Sequence, residues 1–80
     1  MSSNSVIFGC KGTRLTEEER NFFRDAKPWA FILFSRNLST PNQIKVLCNE
    51  LRDSVAKNVP ILIDQEGGRV ARLRAPIWLD

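Results

Sequence analysis

The sequence has no histidine and only two cysteines among its 80 residues. Cys10 and Cys48 lack CxxC spacing, and without imidazole they do not form the ligand set of a zinc site. An export signal is also missing, because no charged start precedes a long apolar segment at the N-terminus. We therefore expect a cytoplasmic protein with both thiols reduced, and with Cys48 on the apolar face of a helix.

Long apolar runs are also absent. The longest, Trp29–Phe34, is far shorter than the roughly 20 residues of a membrane-spanning helix, so we expect no membrane partner. The formal net charge is +3, but basic and acidic residues alternate along most of the chain. The basic residues cluster only at Arg69, Arg72 and Arg74. A small positive excess is typical of a soluble surface, so we expect no nucleic-acid partner.

Three short apolar segments are present, in a chain whose length suits one small domain over residues 1–80. Ser5–Gly9, Trp29–Phe34 and Val59–Ile63 are predicted strands, with Pro60 tolerable near the start of the third. The middle segment shows no polar alternation, which is typical of a strand buried on both faces in a parallel sheet.

A first helix is predicted between the first two strands. Thr16 and Glu19 form a capping-box pattern, and the glutamates from Glu17 to Glu19 suit the positive end of the helix dipole, so we do not interpret them as catalytic acids. Pro28 ends the helix, which we place up to about Ala26. The side chains expected to face inward are Phe22, Phe23 and Ala26.

A second helix is predicted from Thr40 to about Asn58. Thr40 is the expected cap, Pro41 occupies the first helical position, and Gln43 closes a second capping box. Apolar residues then recur at steps of three and four, which predicts an amphipathic helix. These residues are Ile44, Leu47, Cys48, Leu51 and Val55.

The order βαβαβ predicts a parallel sheet with right-handed crossovers. Two large α/β folds begin this way, the doubly wound sheet and the (β/α)₈ barrel. The segment Gly9–Gly12 does not match the GxGxxG phosphate-binding fingerprint. Periodicity alone leaves both folds open.

Functional residues of parallel α/β folds gather where the strands end. The third strand is followed by Asp64 and two glycines, and Arg69 and Arg72 could keep that carboxylate ionised or bind an oxygen-rich ligand. An aspartate after a strand is equally often a turn or cap residue, so chemistry alone leaves both interpretations open. Glu66 is better explained as structural, and the polar segment 35–37 as a loop.

The segment from Ile63 to Arg72, Ile-Asp-Gln-Glu-Gly-Gly-Arg-Val-x-Arg, resembles the signature of glycoside hydrolase family 3 β-N-acetylglucosaminidases. The similarity extends to Gly9-x-x-Gly12-x-x-Leu15-x-x-Glu18-Glu19, to Phe31-Ile-Leu-Phe34-x-Arg36-Asn37 and to Leu73-Arg74-x-Pro76-x-Trp78. It therefore covers nearly the whole chain.

The resemblance implies the N-terminal βαβαβ portion of a (β/α)₈ TIM barrel that removes terminal N-acetylglucosamine from peptidoglycan-derived muropeptides during cytoplasmic peptidoglycan recycling. Family members retain configuration through a covalent glycosyl-enzyme intermediate. By position in the motif, Asp64 and Arg72 would bind the terminal sugar. A site that hydrogen-bonds hydroxyls discriminates strongly between ligands. Neither a cofactor nor a metal is implied.

The chain departs from the family in its catalytic residues. The family's nucleophile is an aspartate at a late strand, and its acid/base is a histidine on a mobile loop, whereas this chain has no histidine and no motif around Asp80. A barrel needs about 250 residues. We therefore expect a fragment that has no catalytic residue and is inactive alone. Alternatives are a sugar- or anion-binding module, an inactive gene remnant, or an interaction protein that pairs through a sheet edge.

Overall fold

The computed structural model describes residues 6–65 and 69–73, with side chains described for residues 6–64. The elements in chain order are β1 (Ile7–Phe8), α1 (Glu17–Ala26), β2 (Ala30–Leu33), a 3₁₀ helix (Ser35–Asn37), α2 (Pro41–Val55), β3 (Ile61–Gln65) and β4 (Arg69–Leu73). The strands form one sheet in the order β1-β2-β3-β4. β1, β2 and β3 are parallel, which confirms the predicted βαβαβ unit and the α/β class.

The sequence predicts only three strands, followed by an irregular stretch over residues 69–74, whereas the structure has a fourth strand, β4, at Arg69–Leu73. Its backbone pairs antiparallel with β3, from Ile61↔Leu73 to Gln65↔Arg69. The sequence Arg-Val-Ala-Arg-Leu has no clean alternation of apolar and polar residues, so the period-two signal is missing. The sequence also predicts a turn over residues 65–68; Gln65 instead belongs to β3, and Glu66, Gly67 and Gly68 lie outside the described residues.

The strand bounds also differ from prediction. The first strand is only Ile7–Phe8, and the third begins at Ile61 and runs on to Gln65. Pro60 explains the later start, because it has no N–H to donate to a ladder. Its carbonyl still accepts a hydrogen bond of 3.0 Å from the Phe31 amide and so aligns β3 beside β2.

The helix α1 begins as predicted. The Thr16 side chain accepts from the Glu19 amide at 3.1 Å, and the Glu19 carboxylate accepts from the Thr16 amide at 3.1 Å. The inward orientation predicted for Phe22 is wrong: this side chain is 55% exposed, whereas Phe23 is buried. Phe23 occupies the centre of the inward stripe, and Phe22 lies at its border, where its ring contacts that of Phe8 edge-on.

The helix α2 is capped by Thr40, whose hydroxyl accepts from the Gln43 amide at 3.1 Å. The predicted second half of that capping box differs, because the Gln43 side chain accepts from the amide of Ser39, one residue before the cap. The helix ends at Val55 instead of near Asn58, since Ala56 adopts a left-handed conformation at φ 55°.

Both helices pack on one face of the sheet, which we call the helix face. Phe31, Leu33, Ile61 and Ile63 lie on this face, are almost fully buried and belong to one apolar core. The ring of Phe31 meets that of Phe23 at a centroid distance of 4.9 Å. The helix residues that contribute to the same core are Phe23, Ile44, Leu47, Cys48 and Leu51.

The alternating residues lie on what we call the opposite face. Side chains along a strand point alternately to the two faces, and register partners share a face. Ile7, Ile32, Leu62 and Asp64 therefore lie on the opposite face, where all four are half-buried or exposed. Among the side chains described on this face, only that of the small Ala30 is fully buried. Neither described helix is long and apolar enough to cross a membrane.

Candidate functional site at the carboxyl edge of the sheet

The predicted ligand residue Asp64 lies at the edge where the three parallel strands end. It is inside β3, one residue before the strand finishes, whereas the sequence predicts it directly after the strand. Its side chain is half-buried. Its backbone is held on both sides, because Ile63 pairs with Leu33 of β2 and Asp64 itself pairs with Val70 of β4. The backbone that carries this carboxylate is therefore held in a well-defined position.

The second predicted ligand residue, Arg72, lies on the adjacent strand. Its backbone pairs with Leu62, two residues before Asp64 on β3. Paired residues of an antiparallel ladder share a face, so positions 64 and 72 both belong to the opposite face, one diagonal apart. Such diagonal neighbours lie about 7–8 Å apart, within reach of long side chains. The Arg72 side chain lies outside the described set, so its role stays a prediction.

A buried amide that the sequence interpretation treats as loop polarity lies at the end of the neighbouring strand. Asn37 is 0% exposed. Its Nδ2 donates to the carbonyls of Cys10 at 3.1 Å and Gly12 at 2.7 Å, and its Oδ1 accepts from the Phe34 amide at 2.8 Å. One side chain thereby joins the loop after β1 to the turn after β2. In the sequence, the only signal was its place in the segment Phe31-Ile-Leu-Phe34-x-Arg36-Asn37.

Arg36 is the second residue that the sequence interpretation undervalued. Its Nε and Nη2 donate to the Cys10 carbonyl at 3.3 and 3.2 Å. Its guanidinium carbon lies 4.8 Å from the centroid of the Phe34 ring, a cation–π contact. The side chain is exposed but anchored at two points, which fixes a positive charge at the carboxyl edge of the sheet.

Gly9 packs closely beside the stacked pair. A Cβ added to Gly9 would lie 3.4 Å from Phe34 Cε2 and 3.7 Å from Arg36 Nη2, which are ordinary van der Waals contacts. The residue after β1 is therefore a direct neighbour of the two side chains after β2.

Three more side chains fix the loop over residues 10–15. The Glu19 carboxylate accepts from the Lys11 amide at 2.9 Å, and Gln43 donates to the Thr13 carbonyl at 2.7 Å. Glu50 accepts from the Leu15 amide at 3.0 Å and from two nitrogens of Arg14. The hydrogen bond to the Arg14 guanidinium holds the pKa of Glu50 below its ordinary value. The loop is thus tied to both helices.

The two thiols take no reactive form in this arrangement. Cys10 and Cys48 are free and buried, and burial raises the pKa of each to about 11. A neutral thiol is a poor nucleophile at neutral pH. Within residues 6–65 and 69–73, no group of three histidine, cysteine, aspartate or glutamate side chains is arranged to hold a metal ion.

A cavity of about 460 Å³ opens beside Arg36. Among its lining residues are Gly9, Ile32, Phe34 and Arg36. Asp64 does not line it. The strand ends therefore offer two polar features, the Asp64 position on β3 and the Arg36 guanidinium above β2.

Sequence comparison and structure comparison both match this chain to about one fifth of the same kind of enzyme. No protein-family model matches the chain. The β-hexosaminidase of Pseudomonas aeruginosa PAO1 is 39% identical over 70 residues, which are 88% of this chain and 21% of that protein. The β-hexosaminidase of Haemophilus ducreyi is 41% identical over 69 residues, 86% of this chain and 20% of that protein.

Solved structures agree with these relatives. NagZ from Neisseria gonorrhoeae in complex with zinc ion superimposes with a TM-score of 0.71 at 35% identity, over 90% of this chain and 21% of that one. The same protein in complex with N-trifluoroacetyl-D-glucosamine gives a TM-score of 0.70 over 88% of this chain.

The fold and these superpositions define the chain as an α/β unit that forms part of a TIM-barrel domain. More particularly, it corresponds to an N-terminal portion of β-hexosaminidases of the NagZ type. The chain spans about one fifth of the length of the curated relatives that it matches.

Proposed function

We propose that the chain forms part of the substrate-binding site of a retaining β-N-acetylglucosaminidase of glycoside hydrolase family 3, and that the enzyme removes terminal N-acetylglucosamine from peptidoglycan-derived muropeptides in the cytoplasm. The observation that carries the proposal is the place of Asp64, half-buried and at the carboxyl edge of a parallel sheet. In barrels, ligands bind at this edge. The neighbour that holds N-trifluoroacetyl-D-glucosamine supports a sugar as the ligand.

In this proposal Asp64 accepts hydrogen bonds from hydroxyl groups of the terminal sugar. A carboxylate accepts at two oxygens, and bonds to a charged group contribute more than bonds between neutral groups. Arg72 shapes the other side of the pocket, since its backbone position lies on the same face one diagonal away. In this proposal its guanidinium donates hydrogen bonds to sugar oxygens.

The proposal assigns recognition, and no chemical step, to these residues. Glycoside hydrolysis of this type requires a nucleophilic carboxylate and an acid/base. Neither role falls on Asp64 or Arg72, which bind the sugar. We therefore predict that this 80-residue polypeptide alone does not hydrolyse a chromogenic β-N-acetylglucosaminide. Turnover well above that of buffer, retained after repurification, would contradict the prediction.

The binding role of Asp64 is tested by titrating the isotope-labelled chain with N-acetylglucosamine and following amide shifts by NMR. We expect shifts centred on residues 62–65, and we expect Asp64→Asn to weaken binding roughly ten-fold or more, because a charged acceptor is lost. Asp53→Asn is the matched control, since that carboxylate lies on α2 and is 84% exposed. Equal affinity in both variants would remove Asp64 from the site.

A non-catalytic sugar- or anion-binding module is the second candidate, and the exposed Arg36 guanidinium favours it. The same titration separates the two candidates. Binding of inorganic phosphate in place of the sugar, insensitive to Asp64→Asn, would favour the anion-binding module.

A further inference from the structure

A second cavity lies at the amino edge of the sheet, the edge where the parallel strands begin. Its volume is about 450 Å³. Trp29, which directly precedes β2, and Val59, which lies just before β3, both line it. Asp64 follows Val59 by five residues, which is about 16 Å along an extended chain. The cavity is therefore remote from the candidate site.

The wall of this cavity is largely apolar. Pro28 and Val59 are buried and Val55 is half-buried, and all three line it. Trp29 lines it too, and this large apolar side chain is 51% exposed. Cavities that bind small molecules typically measure about 300–1,000 Å³ and are mostly apolar, with a few polar groups that orient the ligand. The size and the wall therefore suit a small ligand with an apolar body.

The charged side chains around the cavity are all positive. Arg24, Lys27 and Lys57 line it and are exposed, and no acidic residue is among the described residues that line it. Arg24 forms an ion pair with the neighbouring Asp25 at 3.5 Å. Neither lysine forms an ion pair with a carboxylate in the part of the chain that the structure describes. Two ammonium groups are thus available to an anionic ligand.

Capping of the helices does not account for these two lysines. Both follow the end of a helix, where positive side chains can bind the last carbonyls. Here the main chain supplies those bonds: the Phe23 carbonyl accepts from the Lys27 amide at 2.9 Å, and the Arg52 carbonyl accepts from the Lys57 amide at 3.3 Å. The lysine side chains are therefore not required as caps.

The backbone at the cavity is also unusual. Among the described residues, Lys27 and Ala56 are the two non-glycine residues with positive φ, at 52° and 55°. Both line the cavity. A left-handed conformation costs energy in a residue with a Cβ, so glycine or asparagine is usual there, and such residues concentrate at functional sites. A lysine at this position keeps a positive charge beside the cavity in spite of the strain.

We propose that the cavity is a binding site for a small amphipathic anion, an aromatic ring that carries a carboxylate. The ring packs against Trp29 and the apolar wall, since offset or edge-on contacts between rings are favourable. The carboxylate accepts hydrogen bonds from the ammonium groups of Lys27 and Lys57. The site is separate from the one under Proposed function, because it lies at the other edge of the sheet.

The test uses two probes that differ only in charge. Naphthaleneacetate and naphthaleneacetamide have the same ring system, and their dissociation constants are measured by NMR titration of the isotope-labelled full chain. We expect the carboxylate to shift the amide signals of residues 27–29 and 54–57, and to bind roughly five- to ten-fold more tightly than the amide, because it adds charge-assisted contacts. High salt should reduce this preference.

Three variants separate the ring contact from the charge contact. Trp29→Ala should weaken both probes roughly ten-fold, since it removes the aromatic wall. Lys27→Asn suits the left-handed backbone, and we expect it to remove most of the preference for the carboxylate while the affinity for the amide stays the same. Lys57→Gln should act in the same direction. Lys45→Gln is the matched control, because this exposed lysine on α2 does not line the cavity.

Four outcomes would overturn the proposal. Equal affinity for the two probes, unchanged in the lysine variants, would mean an apolar surface without anion recognition. Shifts centred on residues 7, 32 and 62 would mean that the probe covers the opposite face of the sheet. Absence of shifts at millimolar probe would exclude a small-molecule site. Binding of an acidic peptide at the cavity without binding of naphthaleneacetate would assign the cavity to a protein partner. Circular dichroism of each variant verifies that it is folded.

Discussion

The two faces of the sheet differ in composition and in burial. On the helix face, Phe31, Leu33, Ile61 and Ile63 are at most 2% exposed and pack into a single apolar core. On the opposite face, the described side chains of the same strands are half-buried or exposed, apart from the small Ala30, and one of them is Asp64. Adjacent residues along a strand therefore have different roles, because successive side chains point to opposite faces.

This difference shows where the sequence is constrained by folding and where it is free to carry a site. Removing apolar area from water supplies most of the free energy of folding, and in this chain that area is on the helix face. Asp64 contributes little apolar area, so we expect its replacement to affect ligand binding more than stability. A similar difference is found at the strand ends: Asn37 is buried and holds two loops together, whereas the charged side chain of Arg36 is exposed.

The greatest loss of stability is expected at Phe31 on the helix face, and Ile32, its neighbour on the opposite face, serves as the comparison. Phe31→Ala removes a fully buried ring that contacts Phe23, and we expect a loss of about 3–5 kcal/mol in unfolding free energy. Ile32→Ala removes a half-buried side chain on the opposite face, and we expect about 1 kcal/mol. Urea unfolding followed by circular dichroism measures both.

Equal losses would show that the opposite face is as well packed as the helix face. If Phe31→Ala prevents folding altogether, the milder Phe31→Leu replaces it and is still expected to cost more than Ile32→Leu, since the Phe31 ring is completely enclosed.

The second largest loss of stability is expected at Asn37, which links the segment after β2 to the loop after β1. Asn37→Ala leaves the Phe34 amide and the Cys10 and Gly12 carbonyls without their partner, and we expect a loss of roughly 2–3 kcal/mol. Asn49→Ala on the exposed side of α2 is the matched control and should change little. Similar small changes in both would mean that water replaces the Asn37 side chain.

Asn37→Ala also has a structural readout. Because Asn37 holds the Cys10 carbonyl to which Arg36 donates, we expect the NMR signals of residues 10–12 to shift or broaden in this variant. Unaltered signals there would show that Arg36 fixes the loop without help.

The sequence predicts best those features of the fold that are determined by residues close together in the chain. Thr16 and Glu19 lie three residues apart and specify the start of α1, and the stripe along α2 specifies its buried face. The wrong orientation of Phe22 has a local cause too, since it sits next to Phe23 at the border of the apolar stripe. Helical spacing does not resolve such a border.

The parts that sequence misses depend on distant partners. Asn37 bonds residues 25 to 27 positions away, and no local pattern distinguishes it from a loop amide. The strand β4 has no alternation and forms through its ladder with β3. For the candidate site, the chemistry of the residues alone did not decide whether Asp64 is a turn residue or a ligand-binding residue. The family resemblance then indicated Asp64 and Arg72 as ligand-binding residues. The register adds that both positions lie on one face.

The smallest expected effect concerns the ion pair that ties the loop to α2. Arg14 holds the pKa of Glu50 below its ordinary value of 4.5, so the stabilising contribution is present above that value and is lost as pH falls through the lower, folded-state pKa. We expect Glu50→Gln to reduce stability at pH 7 by less than half the Asn37→Ala loss, and the difference from wild type to vanish in acid. Urea midpoints from pH 7 down to pH 2.5 measure this. A difference in stability that does not change with pH would show that the hydrogen bond from the Leu15 amide, and not the ion pair with Arg14, accounts for the contribution of Glu50.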